Sequence, residues 1–277
     1  MNLHVETTGQ GESLLFLHGW GMHSGMWGEV LPQLAESFCV SAVDLPGHGL
    51  SAGSGKWQVE SDKSSSEFPL TTPDSRLPTS HIDAIVDQLA AQFREPLTLC
   101  GWSLGGQIAQ RWAMRYPEQI KRLVLISSTP CFAQREGWAC AMPQATLAEF
   151  SASHAQDQIA TLRRFLGLLT RGGENERALL VELRGELMNR GEPDKQALHA
   201  GLEILRNVDL CAALPEIYQP TLIIAGERDT LTPLAASLYM VDHLPHARLV
   251  TIAGAAHLPF RSHRAEFVKQ LTDFLHE

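Results

Sequence analysis

No run of apolar residues in this 277-residue chain reaches the length of a membrane span. The opening MNLHVETTGQGE is polar and breaks early, so no secretory leader is expected. Positive charge is in deficit: 22 Lys and Arg stand against 31 Asp and Glu, a formal net charge of −9. That balance argues against nucleic acid and anionic membrane as partners. Cysteines number only five (Cys39, Cys100, Cys131, Cys140, Cys211), an odd count scattered along the chain. At least three lie in apolar stretches, where Cys serves as a small core residue. There is no C-x-x-C pair and no Cys/His cluster, so no metal or other cofactor is expected, and a reducing cytoplasm is the natural setting. No internal repeat is present.

What is present is an alternation of strand and helix patterns and enough apolar residues, 44%, for a sizeable core. Apolar runs at Leu14–Leu17, Cys39–Val43, Leu97–Cys100, Arg122–Ser127, Thr221–Gly226 and Ala247–Ile252 read as buried strands, and 2–8 as an edge strand. Helical patterns separate them, one starting near Ser24 with Met26, Val30 and Leu34 on one face, and one that Ser80 can cap. The alternation predicts an α/β fold with a mostly parallel sheet flanked by helices. It is interrupted twice. Residues 52–79 are rich in Ser, Pro, Thr and Gly with no sustained period and read as a long surface loop. Residues 130–208 look wholly helical, with helices expected over 146–151, 157–170, 175–189 and 195–206. The predicted organisation is a core of 1–129 and 209–277 with an inserted helical cap at 130–208.

The chemistry is carried by Gly101-Trp102-Ser103-Leu104-Gly105, a G-x-S-x-G between a strand and a helix. A sharp strand-to-helix turn lifts the Ser103 hydroxyl out of the sheet to a helix N-terminus, where unpaired N–H groups favour a developing negative charge. A serine hydroxyl needs a base, and the base needs a carboxylate to orient it. The order nucleophile, acid, histidine is met by Asp229, just past the strand TLIIAG, and His257, just past the last strand. Glu227 rivals Asp229 but comes earlier in its loop. Asp44 precedes the nucleophile and is assigned to bracing the DLPGHG turn; His18 is read as a buried loop brace. The oxyanion donors expected are the N–H groups of Leu104 and of Trp20, in the loop after Leu14–Leu17. The Trp20 side chain is also a candidate pocket wall.

LHGWG, DLPGHGLS, GWSLGG, GERDTLTP and AAHLPF together resemble the α/β-hydrolase superfamily with a helical cap. GWGMHSGMW, SSTPCFAQREGW, RRFLGLL and GLEILRNVDL extend the resemblance to the esterases of biotin synthesis that act on pimeloyl-acyl carrier protein methyl ester. The resemblance implies a Ser103–Asp229–His257 triad, carbonyl binding by Trp20 and Leu104, and an acyl site that adds Phe165, Leu166, Gly167, Leu168 and Leu169. The implied partner is acyl carrier protein, an acidic substrate carrier, with no nucleic acid or membrane; a monomer is expected. The 52–79 insertion is longer than that family suggests. On the 157–170 helix, Ile159, Leu162, Leu166 and Leu169 share a face with Phe165 at its edge, while Arg163, Arg164 and, further on, Arg171 lie away from it. These arginines suit either ordinary solvation or docking of the carrier. Residues 131–208 carry nine Lys/Arg and ten Asp/Glu, so most of the net negative charge lies elsewhere. The competing expectations are a general short-chain carboxylesterase, a C–C bond hydrolase or a binding protein without catalysis. A serine at 103 excludes an aspartate-nucleophile dehalogenase.

Overall fold

A computed structural model describes residues 3–53 and 80–277. Apart from Ala52 and Gly53, the long loop expected at 52–79 lies outside the described residues, as does the side chain of Ser80. Seven strands form one sheet: β1 (Val5–Thr8), β2 (Ser13–Leu17), β3 (Cys39–Val43), β4 (Leu97–Trp102), β5 (Ile120–Ile126), β6 (Thr221–Gly226) and β7 (Ala247–Ile252). Their order is β1-β3-β2-β4-β5-β6-β7. Only the edge strand β1 is antiparallel, pairing Val5 with Val43 through Thr8 with Val40. The interior strands LTLCGW and TLIIAG are buried along their whole length, as strands covered on both faces must be. The chain leaves β2 toward β3 on one side and resumes at β4 on the other. The C-terminal ends of β2 and β4, where Leu17 faces Gly101, therefore flank a switch point, the crevice in which open α/β sheets bind ligands.

Helices α2 (Ser80–Gln92), α3 (Leu104–Arg115), α8 (Leu234–His243), α9 (Pro259–Ser262) and α10 (Arg264–Leu275) follow or precede strands of the sheet. The helix expected from Ser24 is two pieces. A 3-10 turn spans Ser24–Trp27, and α1 covers Val30–Leu34. The break falls at Gly28, whose φ of 53° no helix accepts, and the Arg261 guanidinium packs where its side chain would stand. Met26, Val30 and Leu34 are nonetheless all buried.

Between β5 and β6 four helices lie where the sequence indicates, α4 (Gln144–Gln156), α5 (Gln158–Thr170), α6 (Glu176–Glu186) and α7 (Lys195–Asn207). The insert is not wholly helical, however: residues 130–143 form no helix and are held by bridges Ala133–Met142, Arg135–Trp138 and Cys131–Asp209. Asp157 caps α5 by accepting from Ala160 N–H. Helix α4 is longer than expected and α6 ends three residues early, in turns through Asn189. Two arginines tie these helices to the rest. Arg261 bonds Glu186 of α6 at 2.7 and 2.9 Å, Glu182, and the Met26 carbonyl. Arg190 pairs with Glu6 of β1 at 2.6 Å and approaches Asp44 at 3.7 Å. Among the described residues, no helix is long and apolar enough to cross a membrane, and no cluster of three or more His, Cys, Asp or Glu is arranged to hold a metal.

Candidate active site

The site grows from the turn between β4 and α3. Ser103 has φ 55° and ψ −119°, a conformation that costs a non-glycine residue about 1–3 kcal/mol and persists only where its surroundings hold it. Four hydrogen bonds do so: Ser103 N–H to the Ile126 carbonyl at 3.0 Å, and onto the Ser103 carbonyl from Gly106 N–H, Gln107 N–H and Ser128 Oγ. The flanking glycines are required by close approach. A Cβ on Gly101 would stand 2.4 Å from the Gly105 carbonyl oxygen, and one on Gly105 2.4 Å from that of Leu17.

Asp229 and His257 meet at the same sheet edge, from the loops after β6 and β7. His257 Nδ1–H donates to Asp229 Oδ2 at 2.7 Å, with both side chains buried. The other carboxylate oxygen accepts from Leu231 N–H and Thr232 N–H, and Thr232 Oγ1 donates to Oδ2 at 2.7 Å. Burial alone would raise the Asp229 pKa; the His257 ring and these bonds outweigh it and hold the carboxyl below its ordinary range. Glu227, the rival, is exposed and accepts from Gly254 N–H. The His257 ring is set from behind as well: Trp102 Nε1–H donates to the His257 carbonyl at 2.9 Å, and His257 N–H reaches the Leu169 carbonyl at 3.2 Å. Trp102 in turn packs in a buried aromatic cluster with Trp27 and Phe260. His257 Nε2 is buried with no hydrogen-bond partner. No Ser103–His257 hydrogen bond is formed among the described residues, a looseness common in ligand-free sites.

The loop after β2 lies between the elbow and the helical insert. Gly19 faces Ser103, where an added Cβ would stand 3.2 Å from Ser103 Cβ. Leu104 opens α3, so its N–H has no acceptor within its own helix. Among the described residues, no backbone carbonyl takes the N–H of Trp20. His18 is the loop brace anticipated: Nδ1–H donates to the Gly19 carbonyl at 2.8 Å and Nε2 accepts from Leu45 N–H at 3.0 Å. That pattern fixes a neutral ring, and burial, with His48 beside it, pushes its pKa down to about 3. Asp44 accepts from Ser24 N–H at 2.6 Å and Leu50 N–H at 2.9 Å, tying the β2 and β3 loops together.

Beside Trp20 an apolar pocket of about 340 Å3, part of it open to solvent, is lined from every helix of the insert except α6. Of the segment the resemblance assigns to the acyl site, Phe165 and Leu168 line this pocket; Phe132, Met142, Phe150, Leu202, Leu205 and Leu231, not singled out from the sequence, also do. Of the other residues of that α5 segment, Leu166 is buried away from this pocket, Leu169 offers its carbonyl to His257, and Gly167 faces open space. Arg163, Arg164 and Arg171 are exposed, with the Arg164 guanidinium 6.0 Å from the Phe150 ring centre. None of the three forms an ion pair among the described residues.

Thr232 and the pocket residues other than Trp20, Phe165 and Leu168 escaped the sequence reading. Thr232 had a local signal, since D-T-L-T lets an aspartate accept from the N–H groups two and three residues on. The pocket residues had none beyond being apolar.

An elbow serine, a buried Asp–His pair and unpaired N–H groups at a switch point define a hydrolase-type site, and the comparisons agree. The model of the alpha/beta hydrolase family matches residues 14–270, and the chain belongs to that family. Over 267 residues it is 40% identical to pimeloyl-[acyl-carrier protein] methyl ester esterase of Nitrosomonas europaea, covering 96% of this chain and 97% of that protein. It is 39% identical over 275 residues to the protein of the same name from Chromobacterium violaceum, covering 99% and 98%. Among solved structures, an esterase from Exiguobacterium antarcticum superimposes with a TM-score of 0.79 at 21% identity, over 99% of this chain and 96% of that one, a likeness of fold.

Proposed function

We propose that this chain is a cytoplasmic serine carboxylesterase that cleaves the methyl ester of pimeloyl-acyl carrier protein, releasing methanol and pimeloyl-acyl carrier protein for biotin synthesis. The observation that carries the reaction type is the buried Asp229–His257 pair, its free Nε2 at the same sheet edge as a serine held on a strained elbow. The substrate assignment is supported by relatives of that name at up to 40% identity over nearly the full chain. It is also supported by the wholly hydrocarbon and aromatic character of most of the pocket wall, which suits a polymethylene chain.

In this reading Ser103 Oγ attacks the ester carbonyl as His257 Nε2 takes its proton. The N–H groups of Leu104 and Trp20 bind the oxyanion, and His257 then protonates the departing methanol. Water enters, His257 takes its proton, and the acyl-enzyme is hydrolysed. Asp229 orients the ring through its Nδ1–H and stabilises the imidazolium that forms at each proton transfer. Residues 130–208 act as a cap over the sheet's C-terminal edge. Phe165 and Leu168 contact the acyl chain, and Leu166, Gly167 and Leu169 complete that segment. Arg163, Arg164 and Arg171, exposed on or beside α5, receive the acidic carrier. The protein works as a monomer and uses no cofactor.

The test is Ser103→Ala. We expect at least a 10⁴-fold loss of kcat, by analogy with other triad serines, with the circular dichroism of the folded protein retained. A fluorophosphonate should add one mass increment to the wild type and none to the variant. Turnover retained in the variant would contradict the assignment.

A further inference from the structure

Helix α7 carries a glycine at its centre, Gly201, where glycine weakens a helix relative to alanine. Its surroundings explain it. A Cβ at 201 would stand 2.6 Å from Trp20 Cδ1, 3.1 Å from Trp20 Nε1 and 3.4 Å from Leu104 Cδ2. Gly201 thus abuts the side chains of both residues whose N–H groups are assigned to the oxyanion. The indole has nowhere to retreat. Its Nε1–H donates to the Leu198 carbonyl, one turn earlier on α7, at 2.8 Å. Phe165 packs edge-on at 5.1 Å, Phe150 at 5.5 Å and His154 at 6.2 Å between ring centres. On the next residue, Leu162 of α5 fills the space above Gly21, 2.5 Å from where a Cβ would be. These contacts on the indole and on Gly21 come from the helical insert, whereas His18 and Gly19 face the sheet domain, at Leu45 and Ser103.

We propose that Gly201 is a positioning residue for the oxyanion site: by admitting the Trp20 indole against α7, it lets the insert set where the Trp20 N–H points. The insert then does more than wall the acyl pocket, because the catalytic geometry is complete only when α7 is seated on Trp20. This rests on the reading of Ser103 as nucleophile and of the Trp20 N–H as an oxyanion donor.

Gly201→Ala is the direct test, in the full-length protein with p-nitrophenyl butyrate. The added methyl displaces the indole by a good fraction of an ångström, and misplacements near 1 Å cost up to about 100-fold in rate. The expected result is a fall in kcat of about 10- to 100-fold with KM changed less than threefold. Inhibition by phenylboronic acid should weaken by a similar factor. Its boron accepts Ser103 Oγ to become a tetrahedral anion, the hydroxyl proton passing to His257, so its affinity reports the oxyanion site. Gly185→Ala in α6, where nothing lies within 4 Å, is the control expected to change neither quantity.

A second arm uses Trp20→Phe, which keeps an aromatic ring but removes Nε1. It should lower kcat and boronate affinity together, and Gly201→Ala should cost less than a third as much in that background as in the wild type. If Gly201→Ala fails to fold, the kcat and boronate readings of Trp20→Phe decide alone. Unchanged kcat, a change confined to KM, or equal cost of Gly201→Ala in both backgrounds would overturn the proposal. Activity surviving Ser103→Ala would instead overturn the reading of the site on which it rests.

Discussion

At the scale of single residues, the site is built from side chains held from more than one direction. Asp229 is the clearest case. Thr232 Oγ1 donates to the same oxygen that accepts the hydrogen bond from His257 Nδ1–H. Thr232→Val removes that donor while keeping the volume. With less to offset burial, the Asp229 pKa should rise toward its ordinary value and kcat should fall about tenfold, measured on p-nitrophenyl butyrate. Asp229→Asn should be far more severe, about 10⁴-fold, because an amide facing His257 favours the wrong tautomer. Had Asp229 served only structure, both variants would lose stability in step with activity.

The same residues show what a sequence discloses and what it withholds. Ser103 was legible because its signal is local: glycines two positions either side, a strand before and a helix after. Asp229 and His257 were legible because chain order and strand ends place them at one sheet edge. The Trp20 Nε1–Leu198 bond was not, since its partners lie 178 residues apart. Gly201 looked like any glycine in a helix until the indole was seen against it.

At the scale of elements, the strands and the helical insert were foreseen from periodicity, while what fastens the insert was not. Arg261 reads as an ordinary charge in the last third of the chain, yet its side chain is buried and reaches Glu186, 75 residues away. Removing it leaves Glu186 and the Met26 carbonyl without their partner. Arg261→Ala should destabilise the protein by about 2 kcal/mol, less than a fully buried pair because Glu182 and Glu186 remain partly exposed. Chemical denaturation would check this. The single helix expected from Ser24 is broken at Gly28, whose positive φ a helix does not accept and beside which that same guanidinium packs. In α6, Gly185→Ala meets open space and should stabilise the protein by about 0.5 kcal/mol, read in the same experiment.

At the scale of the whole molecule, the loops after β2 and β3 and the stretch after α6 at Arg190 enclose three buried histidines. Burial lowers the pKa of His18, His23 and His48 below the ordinary value, for His18 to about 3. A depressed folded pKa means the unfolded chain binds the proton more readily. The stability these rings contribute is therefore full above about pH 6.5 and is lost as pH falls from there toward their folded values. Asp44 and Arg190 beside them stay charged across that window. Unfolding free energy should drop between pH 7 and pH 5 with a slope of up to about 1.4 kcal/mol per pH unit for each histidine. His18→Gln should reduce that slope by about one proton. A pH-independent stability over this range would contradict the neutral-ring assignment.

The most direct test of the whole account is the rate on the carrier-bound ester itself. Purified pimeloyl-acyl carrier protein methyl ester should be hydrolysed with a kcat/KM well above that for p-nitrophenyl acetate or butyrate. The activity should vanish in Ser103→Ala and weaken through KM when Arg163, Arg164 and Arg171 are replaced together by alanine. Cleavage of the small esters alone, with the carrier-bound ester left intact, would leave Ser103, Asp229 and His257 in their roles and contradict the assigned substrate.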